Sequence, residues 1–347
     1  MMELSSYQAN RMLGDQGYPA FELRHILAFT ARHFGEYQAQ ALLRAIGLDS
    51  NTVQHSQFVA VWQVDYALRM LHELSHDPEI GVRIGATYQL AGLDILLPHF
   101  ATCRTLRDCL AVVNRMPRLV GSLSDTLVLE EQGELAMRWL NTGRLEIQHY
   151  HTIFSHSIGV LLTLARELTG ERVEYSRLAF QVPAFAGRYL SAMTGATLAF
   201  EQTYCEWAVS EQMLALPVTY PFSHAKTPAA LPLSPSLIDL VLAQLHRHFP
   251  QIPRLEELAA SLNMSDRSLR RKLAALGTGY QPLVDMVRAQ RAIAALLAGQ
   301  QSIADIAGQL GYVDVSHFRQ SFKHWTGQAP GHFVRLNSSS PEWETSR

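Results

Sequence analysis

One run of residue types occurs twice in the last third of this 347-residue chain, and it constrains the fold more than any other feature. The first copy reads Leu258-Ala259-Ala260-Ser261-Leu262-Asn263-Met264-Ser265-Asp266 and continues to Leu269 and Leu273. The second reads Ile306-Ala307-Gly308-Gln309-Leu310-Gly311-Tyr312-Val313-Asp314 and continues to Phe318 and Phe322. The copies are offset by 48 residues, then by 49 after one inserted residue. Each has the parts of a helix-turn-helix. Ala259 and Ala307 are small enough for a second helix to cross closely over the first. Asn263 and Gly311 fall where the first helix must end, and both residue types tolerate positive φ. Ser265 and Asp314 are suited to cap the second helix. Leu269/Leu273 and Phe318/Phe322 are i, i+4 pairs that face inward.

The outward faces of the two second helices are polar and differ from each other. On the first, Arg267, Arg270, Arg271 and Ala274 share a face by helical spacing, with Ser268 and Lys272 beside it. On the second, Ser316, Arg319, Gln320 and Lys323 share a face, with His317 adjacent. Arginine reads guanine edges bidentately, glutamine pairs with adenine, and lysine or serine holds phosphate. A plain solvated face explains one such helix as well as DNA binding does. Two matching faces on two matching helix pairs favour a nucleic-acid interface made of the ten polar residues among these, Ala274 aside. Ser302-Ile303-Ala304-Asp305 is a capping box that opens the second unit. Its free amides are also suited to a phosphate, although a structural cap is the simpler reading.

Charge supports this division. Residues 1–235 carry 17 Lys+Arg against 22 Asp+Glu, whereas residues 236–347 carry 12 against 9. The formal net charge of -2 therefore hides an acidic first part and a basic second part, as expected of a polyanion-binding module. Five of the fifteen prolines fall between Pro217 and Pro235, where proline removes amide donors and restricts its predecessor. The expected organisation is a domain over 1–216, a proline-rich linker over 217–235, a helical domain over 236–336 and a polar tail over 337–347.

Before the linker the pattern is α+β. Helical spacing covers Leu23–Phe34, Tyr37–Ile46, Val59–His76 and Leu106–Met116, with a long apolar helix from Leu145 to Leu168 ended by Gly170. Thr126–Glu130 and Leu135–Leu140 alternate around Gly133 as a hairpin, and Val173–Val182, Thr197–Phe200 and Trp207–Val209 predict further strands. A sheet covered by helices can enclose a pocket, but nothing in the residues identifies its ligand. After the linker, helices are predicted over Leu237–His248, Leu255–Leu262, Asp266–Leu276, Pro282–Ala298, Ile303–Leu310 and Val315–Trp325.

The C-terminal residues, about 237–335, resemble the DNA-binding domain of the AraC/XylS family of bacterial transcription regulators. The resemblance rests on Ser302-Ile303 through Ile306-Ala307, Leu310-Gly311-Tyr312, Phe318-Arg319-Gln320-Ser321-Phe322-Lys323 and Trp325-Thr326-Gly327-Gln328-Ala329-Pro330. It implies two helix-turn-helix units joined by a rigid helix, with the two second helices entering successive major grooves. Carried over by position, base contacts fall on Arg267, Arg270 and Arg271, and on Ser316, His317 and Gln320. Val315 departs from the polar residue often found there, which puts readout at that point in doubt. The first 200 or so residues resemble the arabinose-binding-type sensor domain of one branch of the family. The matching pieces are Pro78 through Gly81-Val82-Arg83-Ile84-Gly85, Thr105-Leu106-Arg107 and the strand leading to Pro183. No ligand residues are carried over from that resemblance.

His72-Glu73-Leu74-Ser75-His76 matches HExxH, but a catalytic zinc needs a third protein ligand, and Glu79 and Val82 stand where the extended motif has Gly and His. His149, His151 and His156 cannot share one ion on a helix; they are expected to line a pocket or the surface. The tyrosines and tryptophans fall at core-like spacing and are assigned to packing. Cys103, Cys109 and Cys205 read as reduced, buried thiols. Hydrophobic residues make up 48% and charged residues 17%, a globular composition with no run long enough for a membrane span and no visible signal peptide. The expectation is a cytoplasmic, non-enzymatic, homodimeric transcription regulator without a metal or cofactor. Its partners are promoter DNA, a small-molecule effector, and RNA polymerase if it activates. The rival readings are a zinc hydrolase using His72, Glu73 and His76, and a regulator whose N-terminal domain only dimerises.

Overall fold

A computed structural model of the chain describes residues 7–93, 95–131, 133–222 and 234–336. The chain divides into two compact units, the second of which takes up the chain from Leu237. Most of the proline-rich segment and all of the polar tail lie outside the described residues. Pro217–Phe222, at the start of that segment, belongs to the first unit. Pro217 bridges to Thr105, the Val218 amide donates to the Arg104 carbonyl at 2.9 Å, and the Tyr220 amide donates to the Leu168 carbonyl at 3.0 Å.

The first unit is α+β. It begins with strands β1 (Tyr7–Gln8) and β2 (Gly17–Pro19), then helices α1 (Ala20–Phe34), α2 (Glu36–Ala45) and α3 (Ser50–His55). Strand β3 (Phe58–Ala60) leads directly into α4 (Val61–Ser75), followed by α5 (Ile80–Gly85), α6 (Leu97–Phe100), α7 (Leu106–Arg115) and α8 (Pro117–Val120). The hairpin β4 (Asp125–Glu131) and β5 (Glu134–Leu140) precedes the long α9 (Ile147–Thr169). The unit closes with β6 (Arg177–Ala179), α10 (Arg188–Thr194), β7 (Thr197–Ala199), β8 (Cys205–Ser210) and α11 (Glu211–Leu214). Six strands form one sheet in the order β1-β4-β5-β8-β6-β7, antiparallel except for β6 with β7, and β2 pairs with β3 separately.

Alternation along β4, β5 and β8 gives the sheet two different buried faces. Thr126 is paired with Trp139, and Met137 with Trp207, so these four share one face under the helices. Arg138 and Glu206 are register partners on the other face, where they form a fully buried ion pair. Arg177 joins it, 3.1 Å from Glu206, and also contacts Glu134.

α9 crosses α5 at backbone distance. A Cβ added to Gly81 would lie 2.3 Å from the Thr152 carbonyl oxygen, one on Gly85 2.4 Å from the His156 oxygen, and one on Gly159 2.8 Å from the Val82 oxygen. No residue but glycine fits these positions without moving a helix. Between α9, α7, α1 and the tryptophan face of the sheet lies a cavity of about 190 Å³.

The second unit is all helical: α12 (Leu237–His248), α13 (Leu255–Ser261), α14 (Asp266–Ala275), α15 (Tyr280–Ala298), α16 (Ile303–Gln309), α17 (Val315–Thr326) and α18 (Pro330–Leu336). α15 begins two residues before Pro282, because a proline in the first helical turn sacrifices no intrahelical hydrogen bond. α18 has no counterpart in the sequence reading. It starts on Pro330 and buries Phe333 against Phe322, with ring centroids 5.3 Å apart.

Candidate nucleic-acid interface

The two helix-turn-helix units are built from the same hydrogen bonds. The Met264 amide donates to the Ala259 carbonyl and the Tyr312 amide to the Ala307 carbonyl, both at 2.9 Å. Between them, Asn263 and Gly311 take φ of 56° and 84°. Ala259 and Ala307 are fully buried where the second helix crosses the first. The Ser265 hydroxyl accepts from the Ser268 amide at 3.2 Å and so caps α14. The Asp314 carboxylate accepts from the Ser316 and His317 amides at 3.0 and 3.3 Å and so caps α17. Ser302 and Asp305 form the reciprocal capping box at the start of α16, and these hydrogen bonds hold the Asp305 carboxyl below its usual range.

Burial orients both recognition helices. Leu269 and Leu273 of α14 are fully buried, and Arg267, Arg270, Arg271 and Lys272 are exposed. Ser268 is half-buried, its amide taken by the cap. Phe318 and Phe322 of α17 are fully buried, with rings 5.7 Å apart, and Ser316, His317, Arg319, Gln320 and Lys323 are exposed. Arg270 has carboxylates within reach, Glu256 at 3.8 Å and Asp266 at 4.0 Å, but these contacts are long and solvent-exposed, so water screens them. The His317 ring meets Tyr312 edge-on at 5.3 Å, and Tyr312 in turn contacts Phe318 and Trp325. His317 is thus presented from an anchored aromatic cluster. Val315 is half-buried, whereas Val313 in the preceding turn is fully exposed.

The HExxH pattern does not hold its helical geometry. α4 ends at Ser75, and His76 stands beyond it in the left-handed region at φ 53°. His72 is hydrogen bonded through Nδ1 to the Thr152 hydroxyl at 3.1 Å. The three α9 histidines are buried among separate partners, so none serves the surface. His149 Nε2 lies 2.8 Å from Asp65, His151 Nε2 lies 2.8 Å from the Pro78 carbonyl oxygen, and His156 lines the cavity. Cys109 and Cys205 are buried free thiols, and Cys103 is a half-buried one. Among the described residues no group of three or more His, Cys, Asp or Glu is placed to hold a metal ion. No helix of the described residues is long and apolar enough to cross a membrane.

Two helix-turn-helix units with outward polar faces, following an α+β domain, define a DNA-binding regulator of two parts. Residues 258–336 match the family model of a helix-turn-helix domain, and residues 37–218 match that of the arabinose-binding domain of AraC transcription regulators. The chain belongs to the AraC family of transcription regulators. It is 28% identical over 273 residues to the ornithine utilization regulator of Pseudomonas aeruginosa, covering 75% of this chain and 79% of that one. It is 41% identical over 83 residues to the transcriptional regulator VqsM of the same organism, covering 24% of this chain and 26% of VqsM. The crystal structure of the P. aeruginosa transcriptional regulator CdpR aligns over 91% of this chain and 98% of CdpR, at 18% identity and a TM-score of 0.41. The ornithine utilization regulator and VqsM are both named as regulators.

Proposed function

We propose that the chain is a sequence-specific regulator in which α14 and α17 read two different boxes of one asymmetric promoter site. The observation that carries this is the pair of identically built turns presenting unlike faces: Arg267, Arg270 and Arg271 on one, Ser316, His317, Arg319 and Gln320 on the other. The arginine-dense face suits guanine edges; the mixed face suits a different sequence. Ser268, Lys272 and Lys323 flank the faces and hold phosphate. α15, with 19 residues, spans about 28 Å, comparable with the ~34 Å of one duplex turn.

The proposed organisation is a sensing and dimerisation domain over 1–216 that also takes in Pro217–Phe222, a linker over the rest of 217–235, a DNA-binding domain over 236–336 and a tail over 337–347. The N-terminal domain responds to a small-molecule effector, a reading supported by its match to an arabinose-binding-type domain and by its internal cavity. The protein acts in the cytoplasm as a homodimer, and contacts RNA polymerase where it activates.

Footprinting the full-length protein on a selected site tests this. One subunit protects two unlike boxes about one turn apart. Inserting five base pairs between them turns one groove to the far side and abolishes specific binding. Tolerance of that insertion, or binding to palindromes only, overturns the bipartite reading.

A further inference from the structure

The cavity of the N-terminal unit has a mostly apolar wall that includes Leu68, Phe100, Leu110, Ile153 and Leu164. Set into it are polar atoms that are buried without a hydrogen-bond partner: Nδ2 of Asn114, Oγ1 of Thr126, and Nε1 of Trp139 and of Trp207. Each of these side chains is more than nine-tenths buried. They come from four elements, α7, β4, β5 and β8, and the last three meet on one face of the sheet through the Thr126–Trp139 and Met137–Trp207 pairings. Buried donors are almost always paired in native proteins, because leaving one unmade costs its full desolvation. Three such N–H donors, all on residues that line one cavity, therefore point to an acceptor within it.

The charge of the wall narrows the class. Among the described lining residues there is no lysine or arginine, so a carboxylate or phosphate would be buried without a countercharge. Glu22 is the lining carboxyl, and its oxygen already accepts from the Tyr88 hydroxyl. Burial pushes Glu22 up to about 7 and His156, on the facing helix, down to about 3. His156 is thus uncharged, and its 3.7 Å approach to Glu22 is not an ion pair. A cation would compete with Tyr88 for the one acid present. The volume exceeds the roughly 150 Å³ of an engineered apolar cavity that takes benzene.

We propose that this cavity is a small-molecule site for an uncharged, mainly apolar ligand of about one ring or a short chain, with a carbonyl or ether oxygen that accepts hydrogen bonds from up to two of the donors Asn114, Trp139 and Trp207. Its role as the effector site rests on the effector-responsive reading above. The experiment uses full-length protein and four probes of one size: acetophenone, α-methylstyrene (which replaces the carbonyl oxygen by a methylene group), benzoate and benzylamine. Titration followed by calorimetry and thermal shift should show saturable binding of acetophenone at least about tenfold tighter than that of α-methylstyrene, and none of benzoate or benzylamine. Asn114→Leu should narrow the ketone's advantage; Trp207→Phe, which removes one indole N–H, does the same if the first variant fails to fold. Equal affinity for the two neutral probes overturns the proposal, as does tighter binding of either ion. So does the absence of saturable binding by all four, which leaves water alone as the partner of these atoms. DNA affinity measured in the same samples separates the two readings. Acetophenone binding with unchanged DNA affinity keeps the site and removes its effector role. A DNA response to some other metabolite, without probe binding, does the reverse.

Discussion

Asn263 and Gly311 stand at the same point of the two helix-turn-helix units, both in left-handed backbone conformation, and the amide of the residue after each donates to the alanine five residues back. An identical turn is thus made with two residue types of unequal tolerance. A Cβ added to Gly311 meets nothing within 4 Å, so the cost of a side chain there is conformational alone. Gly311→Ala should lower stability by about 1–2 kcal/mol. Asn263→Gly, which only relaxes a tolerated strain, should stay within about 0.5 kcal/mol of the parent. Chemical denaturation of both variants checks this; equal losses would show that the turns are not equivalent.

Arg271 and Lys323 should separate base reading from phosphate holding. Arg271→Ala is expected to cost about 1–3 kcal/mol on the specific site and to relax base choice at one position. Lys323→Ala should weaken binding on every sequence and reduce the slope of log affinity against log salt by about one. Titrations on specific and random duplexes at several salt concentrations distinguish them, and identical profiles for both variants refute the division.

The Arg138–Glu206 pair is buried in the sheet, so removing the acid takes the buried carboxylate from Arg138, whereas Arg177 keeps Glu134. Glu206→Ala should lower stability by about 3–5 kcal/mol. Arg172→Ala removes one partner of an exposed pair with Glu174, at 2.7 Å, and should change stability by less than about 0.5 kcal/mol. Thermal melts of both variants supply the comparison; a mild Glu206 effect would mean that water reaches the pair.

Glu22 gives stability a pH dependence with a definite sign. Its pKa is raised to about 7 by burial, above the unfolded value near 4.3. Between these values the folded chain holds a proton that the unfolded chain releases, so this group's contribution falls as pH rises towards 7 and is flat above it. His156 and His25, with pKa values lowered to about 3 and about 4, act oppositely, adding stability as pH rises through their folded values towards 6.5. Tyr88 and Tyr18, the other titrating groups that face Glu22, stay neutral throughout, since burial raises both. Glu22→Gln should therefore stabilise the protein at pH 8.5 relative to the parent and have little effect at pH 4. Melting temperatures across that range test it, and a constant offset at all pH values would exclude Glu22 as the titrating group.

Four helices of the second unit, α14 to α17, were legible because their ends carry local signals: Ser265, Ser302 and Asp314 as caps, Gly299 and Gly327 as left-handed ends. The strand expected over Val173–Val182 shrinks to Arg177–Ala179. Alternation records which side chains are buried, not how long a neighbouring strand remains to pair with. β1, β2 and β3 were missed because two or three residues hold no period. α5 is six residues long and was hidden by the glycines that let α9 approach it. Trp139 and Trp207 look like ordinary core residues in sequence. That their indole N–H groups lack acceptors is a property of what surrounds them, which no local pattern encodes.

The contact between α5 and α9 has no side chain in it at Gly81, Gly85 and Gly159. Most helix crossings are cushioned: when one helix shifts, rotamers at the seam turn over and the neighbour stays where it was. Here carbonyl oxygens of each helix rest against the α-carbons of the other, and there are no rotamers to turn. The joint behaves as a bearing without a gasket. α9, which lines the cavity with Ile153, His156 and Leu164, and α5 are displaced together or not at all.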